Sequence, residues 1–403
     1  MQKKFIALAV AGLVSGAAFA QSNVTIYGVA DSTFDVVKSS GADATVTNTG
    51  TAAAPVYTAT DGRNLGNMTR VSTNSSYIGF KGVEALGNGL NAVFQFESAV
   101  GFDAAGAFGA TRDSFVGLSG GFGTVVAGNL TGPTRALGAS LDVFSGATGI
   151  GANTALLGKL GNATTFGVDS SNNIVNSGCG RSATCTSLFD TRWKNAVAYV
   201  SPNLGGVTLT AAYVANENKS QNDFTKIDTK GYDVGAVYKN GPIMAGLTYN
   251  HVSVGNDDNT KAKDLRLGGS YDFGVATVRL AFDQVKLDSN GADTLKQNVW
   301  GIGGTYNVTA AGKLVAQYYQ AKDLKEGGTS LDKTGAKLFA LGYEHSLSKR
   351  TLLKATYSRL ANDENAGYDF GINSVGVNAT GSTPVGTYGA TLSGFQVGVR
   401  HSF

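Results

Sequence analysis

Three histidines, two cysteines and a scatter of carboxylates are the side chains from which this 403-residue chain would have to build an active centre. His251, His345 and His401 are too far apart in sequence to give metal-ligand spacing. The chain has no Gly-x-Ser-x-Gly elbow and no Gly-x4-Gly-Lys-Ser/Thr phosphate loop. Asp257-Asp258 sits in a polar stretch typical of solvated surface rather than of acid–base machinery. Gly87-Asn-Gly89 runs into a strand pattern, not the helix that a nucleotide site needs. Cys179 and Cys185 lie in a Gly/Ser/Asn-rich stretch. In an exported chain they read as a small disulfide closing a surface loop, with a redox or metal site as the alternative, against which counts the lack of a nearby histidine. The expectation is no catalytic residue, no metal and no cofactor.

What remains is charge placed inside strand-like segments. Lys81, Arg266, Arg279, Lys354 and Arg400 are the cations that alternation turns to the polar face, and Asp31, Glu97, Asp264 and Asp283 are the anions. Such charges bias the ions that pass along a polar wall. Each of them could equally be a solvated wall charge with no specific role.

The elements that position them are strands. Segments of about ten residues with alternating polarity recur at 23–36, 75–84, 89–98, 112–119, 123–130, 192–201, 206–216, 230–239, 242–254, 262–272, 275–288, 295–307, 312–322, 336–346, 351–361 and 393–403. From Val275 to Asp283, Ala276, Val278, Leu280 and Phe282 point one way and Thr277, Arg279, Ala281 and Asp283 the other. A soluble sandwich alternates too, so the connections have to discriminate. Every second one is a tight Gly/Asn turn, such as Asn240-Gly241 or Phe273-Gly274, and those between are longer, the longest being 131–191. Short turns at one end and long loops at the other describe a transmembrane β-barrel.

Tyr199, Tyr238, Tyr271, Tyr306 and Tyr343 recur just before the short turns on the apolar face, as an aromatic girdle at a membrane interface would. Ordinary cross-strand packing is the alternative, but it predicts no constant offset from one class of turn. The last strand puts Phe395, Val397, Val399, His401 and Phe403 on one face, as expected if it pairs with the first to close an all-β, 16-stranded antiparallel barrel.

Composition agrees. The 56 Gly would each weaken a helix interior by about 1 kcal/mol relative to Ala, and no window beyond residue 20 approaches 18 uninterrupted apolar residues. Lys3 and Lys4 ahead of the apolar run Phe5 to Val14, then Ala18-Phe19-Ala20, read as a leader of residues 1–20 that is cleaved before Gln21. Residues 21–403 then form a single domain, near neutral in charge, with little to attract nucleic acid.

The chain resembles the general porins of Gram-negative bacteria, in the branch common among betaproteobacteria. The resemblance runs through Val24-Thr-Ile-Tyr-Gly-Val-Ala-Asp31, Ile78-Gly-Phe-Lys-Gly-Val-Glu84, Leu86-Gly-Asn-Gly-Leu90, Phe94-Gln-Phe-Glu97 and Val116-Gly-Leu-Ser-Gly-Gly-Phe-Gly-Thr124. It continues in Asn195-Ala-Val-Ala-Tyr-Val-Ser-Pro202 and Leu347-Ser-Lys-Arg-Thr351, and ends at Phe403.

This resemblance implies a homotrimer in contact with outer-membrane lipid and lipopolysaccharide. It also implies a terminal Phe403 read by the barrel-assembly machinery, and a third loop, here 131–191, folded inward to constrict the pore with Asp142 at the constriction. Many members carry arginine where this chain has Tyr77 and Asn129, both expected on the lumen side, so selectivity close to neutral is expected. The function implied is passive diffusion of small hydrophilic solutes and ions through a water-filled channel. A substrate-selective channel of the same fold, showing saturable block by one solute, is the alternative. A barrel enzyme or adhesin with no conductance is a third possibility.

Overall fold

A computed structural model of the chain describes residues 23–42, 45–48, 57–60, 64–103, 109–160, 166–168, 174–176, 189–215, 220–222, 225–227, 229–254, 260–288, 294–375 and 389–403. The expected leader, 1–20, and the Cys179/Cys185 pair lie outside the described residues.

Sixteen strands form one closed antiparallel sheet. They are β1 (Asn23–Ser40), β2 (in two pieces, Met68–Thr73 and Tyr77–Gly87), β3 (Leu90–Ala99), β4 (Ser114–Gly120), β5 (Gly123–Thr131), β6 (Arg192–Val200), β7 (Val207–Val214) and β8 (Thr229–Asn240). The circuit continues with β9 (Ile243–Val254), β10 (Thr260–Asp272), β11 (Ala276–Asp288), β12 (Leu295–Asn307), β13 (Gly312–Ala321), β14 (Ala336–Ser346), β15 (Thr351–Asn362) and β16 (Thr391–Ser402). Each strand pairs with its neighbours in sequence, and β1 closes the circuit with β16 through Asp31 opposite Arg400. Phe403 finishes the seam, its amide donating to the Gly28 carbonyl (3.1 Å) and its carbonyl accepting from the Gly28 amide (3.2 Å). Closure leaves no open sheet edge, which a hydrocarbon environment requires because water is not there to satisfy it. All sixteen segments expected from alternation are present, with β1 and β2 longer than expected.

Burial is inverted relative to a water-soluble protein. Val116, Leu247, Leu280, Ile302, Leu341 and Phe395 are exposed on the outer face, whereas Thr33, Asp233, Asp264, Gln317, Ser358 and Gln396 are buried inside. Tyr199, Tyr271, Tyr306 and Tyr343 are exposed on the outer face near the short turns, as a girdle requires.

The apolar core lies inside the barrel, made by the third long connection folding inward. Helix α1 (Pro133–Leu141) starts with proline in its first turn, where no backbone donor is lost. It packs against β9 and β10. The wall accommodates it by omitting side chains. Gly246 and Gly268 face each other across β9 and β10, and a Cβ at either would collide with Leu137 or Leu141. The series continues around the wall, where a Cβ at Gly303 would come within 2.6 Å of Val143 and one at Gly394 within 2.8 Å of Ile150. Loop residues taken in order thus rest on glycines of β9, β10, β12 and β16 in the same order. The last long connection also dips inward, burying Tyr368, Phe370 and Val375 against Leu156 and Leu157; nothing in the sequence pattern marked that segment.

Candidate functional site: the barrel lumen

Three polar clusters organise the inner wall. In the first, Arg266 on β10 is fully buried and its guanidinium is shared among three carboxylates: Asp283 on β11 (2.9 Å), Asp190 at the end of the third loop (2.9 Å) and Asp264 (3.4 Å). It also donates to the Thr134 carbonyl at 3.1 Å, at the start of α1. One side chain therefore ties both ends of the loop to the wall. Asp233 extends the anchor by accepting from the Thr134 hydroxyl (2.6 Å).

Asp142 organises the second cluster. It accepts from the amides of Phe144 (2.8 Å) and Asn153 (2.7 Å), while Arg279 donates to its backbone carbonyl. Burial pushes its carboxyl up to about 6, against these hydrogen bonds. Beyond it, Ser145 donates from its amide and hydroxyl to Glu344 (2.9 and 2.6 Å), and the Ile150 amide donates to Gln396 (3.1 Å).

The third cluster lies on β1–β3, β15 and β16. Asp31 accepts from Lys354 (2.6 Å) and Arg400 (3.1 Å). Glu97 accepts from Tyr27 (2.9 Å) and pairs with Arg112 (3.2 Å). The Arg112 guanidinium lies over the Tyr77 ring, 4.5 Å from its centroid, and the Lys81 ammonium over the Tyr27 ring at 4.8 Å.

These positions revise several expectations. Tyr77, Lys81, Arg279 and Arg400 face inward with some exposure. Asp31, Glu97, Arg266, Asp283 and Lys354 also face inward but are buried, so they act as anchors and neutralised pairs rather than as water-lining charges. Asp142 is not at the open face of the constriction; it turns into the loop and the wall, only 2% exposed. Asn129 is not lumen-facing. It shares its side of β5 with Val125 and Ala127, stands opposite Ser114, and donates to the Arg112 carbonyl (2.8 Å). Val126 and Leu130 take the inner side, packed with Trp193, Phe189 and Leu160. Here the inner wall is apolar because the loop covers it.

Arg70 and Lys313 complete the wall and were missed. Arg70 pairs with Asp35 (3.3 Å) and donates to the carbonyls of Asn373 and Ser374, and Lys313 pairs with Glu344 (2.9 Å). Arg112 was missed too, because the expected segment 112–119 begins at it and alternation puts it on the outer side with Val116 and Leu118, whereas it lies ahead of β4 and turns to Glu97. The sequence signal for Arg70 was alternation carried further along β2, and Lys313 lay inside the expected segment 312–322, on the side of Val315 and Gln317.

A closed barrel with an apolar exterior, a polar interior and an inward-folded loop defines a transmembrane diffusion channel. The family model described as Gram-negative porin matches residues 7–365, so the chain belongs to that family. It is 32% identical to "Outer membrane porin protein 32" of Delftia acidovorans over 411 residues, covering 100% of both chains. It is 27% identical to a "Major outer membrane protein" of Neisseria sicca over 377 residues, covering 87% of this chain and 91% of that one. Among solved structures it is similar to "Anion-selective porin from Comamonas acidovorans", with a TM-score of 0.71 and 27% identity over 95% of this chain and 100% of the other. The chain is a porin of the outer membrane, forming a channel for passive diffusion.

Proposed function

We propose that this porin is a non-catalytic homotrimeric channel that favours small anions. The reading rests on one observation about the wall ion pairs. Side-chain exposure is 20% for Arg70 against 0% for Asp35, 17% for Arg112 against 8% for Glu97, 17% for Arg400 against 0% for Asp31, and 35% for Lys313 against 3% for Glu344. In each of these four pairs water meets the cation and the carboxylate is withdrawn, whereas Arg266 and its carboxylates are sealed, with Asp190 at 7% the most exposed of them. Equal numbers of opposite charges then still present a positive surface to a passing ion. This departs from the near-neutral selectivity expected from Tyr77 and Asn129, because Arg112 brings a cation onto the Tyr77 ring. The similar Comamonas structure, named as anion-selective, agrees in sign.

Trimerisation is supported by the barrel's uneven height. Strands β4 to β7 have only 7, 9, 9 and 8 residues, whereas β8 to β12 have 12 or 13. A lipid-exposed strand needs about 9–11 residues, so the low side suits contact between copies. Phe403 completing the seam suits a terminal signal read by the barrel-assembly machinery, and residues 1–20 a cleaved export leader. Lipopolysaccharide is the expected lipid partner.

The test is the reversal potential across a potassium chloride gradient in planar bilayers. Chloride preference is expected, and a clear potassium preference would overturn the reading. Heat-modifiable trimer mobility on gels tests the assembly separately.

A further inference from the structure

The inner wall of β2 to β5 carries an apolar row where a water-filled channel should be polar. Val83 on β2 stands opposite Val93 on β3, Val93 opposite Gly117 on β4, and Gly117 opposite Val126 on β5. No polar side chain interrupts this level across the four strands. Val83 shares its face of β2 with Lys81 and Tyr77, and Phe115 lies on the inner side of β4, since Val116 and Leu118 are exposed outside. The third loop seals one end of the row, where Val126 packs with Leu160, Phe189 and Trp193. The other end is open: Val83 is 55% exposed, and Val93 and Phe115 are half-buried between the two.

Two cations stand beside this open end, each on an aromatic ring. Lys81, next to Val83 on the same face, holds its ammonium over the Tyr27 ring at 4.8 Å from the centroid. The ring lies across Gly79, where a Cβ would come within 2.6 Å of it, so the missing side chain makes room for the tyrosine against the wall. Arg112 lies over Tyr77 at 4.5 Å, and the two tyrosines meet edge to face with centroids 6.1 Å apart. Glu97 is the one carboxylate bonded within this group among the described residues, accepting from Tyr27, Gln95 (3.1 Å) and Arg112. The adjacent Asp113 is paired with Arg192 at 2.9 Å. Lys81 and Arg112 against Glu97 leave one positive charge unbalanced at the edge of an apolar shelf.

We propose that this part of the lumen binds monocarboxylates with an aromatic body, the carboxylate at Lys81 and Arg112 and the ring against Val83, Val93 and Phe115. The proposal rests on the anion-channel reading and deepens it to a class of anion. An inorganic anion engages the cations alone, and a dicarboxylate brings a second charge for which this group has no cation to spare. An aromatic monoanion matches the single surplus charge and covers apolar surface that water otherwise wets. A solute held in the path of the ions shows itself as saturable block of the current.

The test records the purified full-length porin in planar bilayers in potassium chloride, adds benzoate, acetate or uncharged benzamide, and reads the concentration that half-blocks the current. Benzoate is expected to half-block at about a tenfold lower concentration than acetate, the gain from covering one ring face, and benzamide is expected to give no block. In a Val83→Ser, Val93→Ser variant the advantage of benzoate over acetate disappears. In Lys81→Gln the half-block concentration of benzoate rises about two- to fivefold. Equal block by benzoate and acetate, block by benzamide as strong as by benzoate, an unchanged advantage in the serine variant, or an unaffected half-block in Lys81→Gln would overturn the proposal. Should a variant fail to fold, the wild-type comparison of the three solutes decides. Reversal potentials from the same bilayers read the channel separately. Chloride preference without a benzoate advantage sinks only this inference, and potassium preference sinks the anion reading beneath it.

Discussion

Arg112 lies over the ring of Tyr77, 4.5 Å from its centroid, while its Nε pairs with Glu97 at 3.2 Å. The aromatic face and the carboxylate together fix a cation on the wall of β1–β3. Replacing Arg112 with Gln exposes Glu97 without its partner. Removing one wall cation changes an anion's free energy there by about 0.5–1 kcal/mol, which is about a two- to fivefold fall in the chloride-to-potassium permeability ratio. Reversal potentials of wild type and variant check this.

Asn129→Arg is expected to leave that ratio unchanged, because the side chain shares its face with Val125 and Ala127 and not with Arg112. Its effect is expected on assembly, read as weaker trimer mobility on gels. A shift towards anions would place Asn129 in the lumen after all.

Arg266→Ala leaves Asp190, Asp264 and Asp283 together without their shared cation. Breaking a buried ion cluster by removing one partner costs about 3–5 kcal/mol. The third loop should come away from β10, giving a lower thermal midpoint and larger, noisier single-channel conductance.

Asp142 ties loop packing to pH. Its carboxyl titrates near 6 in the folded protein, raised by burial from an ordinary 3.8. Because the folded pKa is the higher one, the stabilisation is complete below about pH 4 and is lost as pH rises through 6. The loss is on the order of 2–3 kcal/mol. Channel noise from loop movement should therefore increase between pH 4 and pH 7 and then level off. Asp142→Asn, which mimics the neutral acid, should abolish the dependence.

The strand positions were legible because lipid on one side and water on the other impose alternation on every segment, and the girdle tyrosines stand just before the short turns. The lumen was less legible wherever the third loop covers the wall. Val125-Val126-Ala127 is apolar on both sides, since Val126 and Leu130 pack under the loop with Trp193, and alternation there cannot choose a face for Asn129. Gly235, Gly268 and Gly303 give alternation no side chain to read. Their physical meaning, a track of missing side chains under Pro133, Leu141 and Val143, needs the loop in place to be seen. Arg266 and Asp283 were placed on the correct face, but single-sequence reasoning has no means of showing that Asp190, 76 residues earlier than Arg266, would seal them from water.

A water-filled cylinder closed by β1 against β16 underlies every property described above. Planar-bilayer recording of the purified protein tests it most directly. The expected result is discrete conductance steps whose size rises in proportion to salt concentration. Protein that enters the bilayer in folded form yet gives no steps would contradict it.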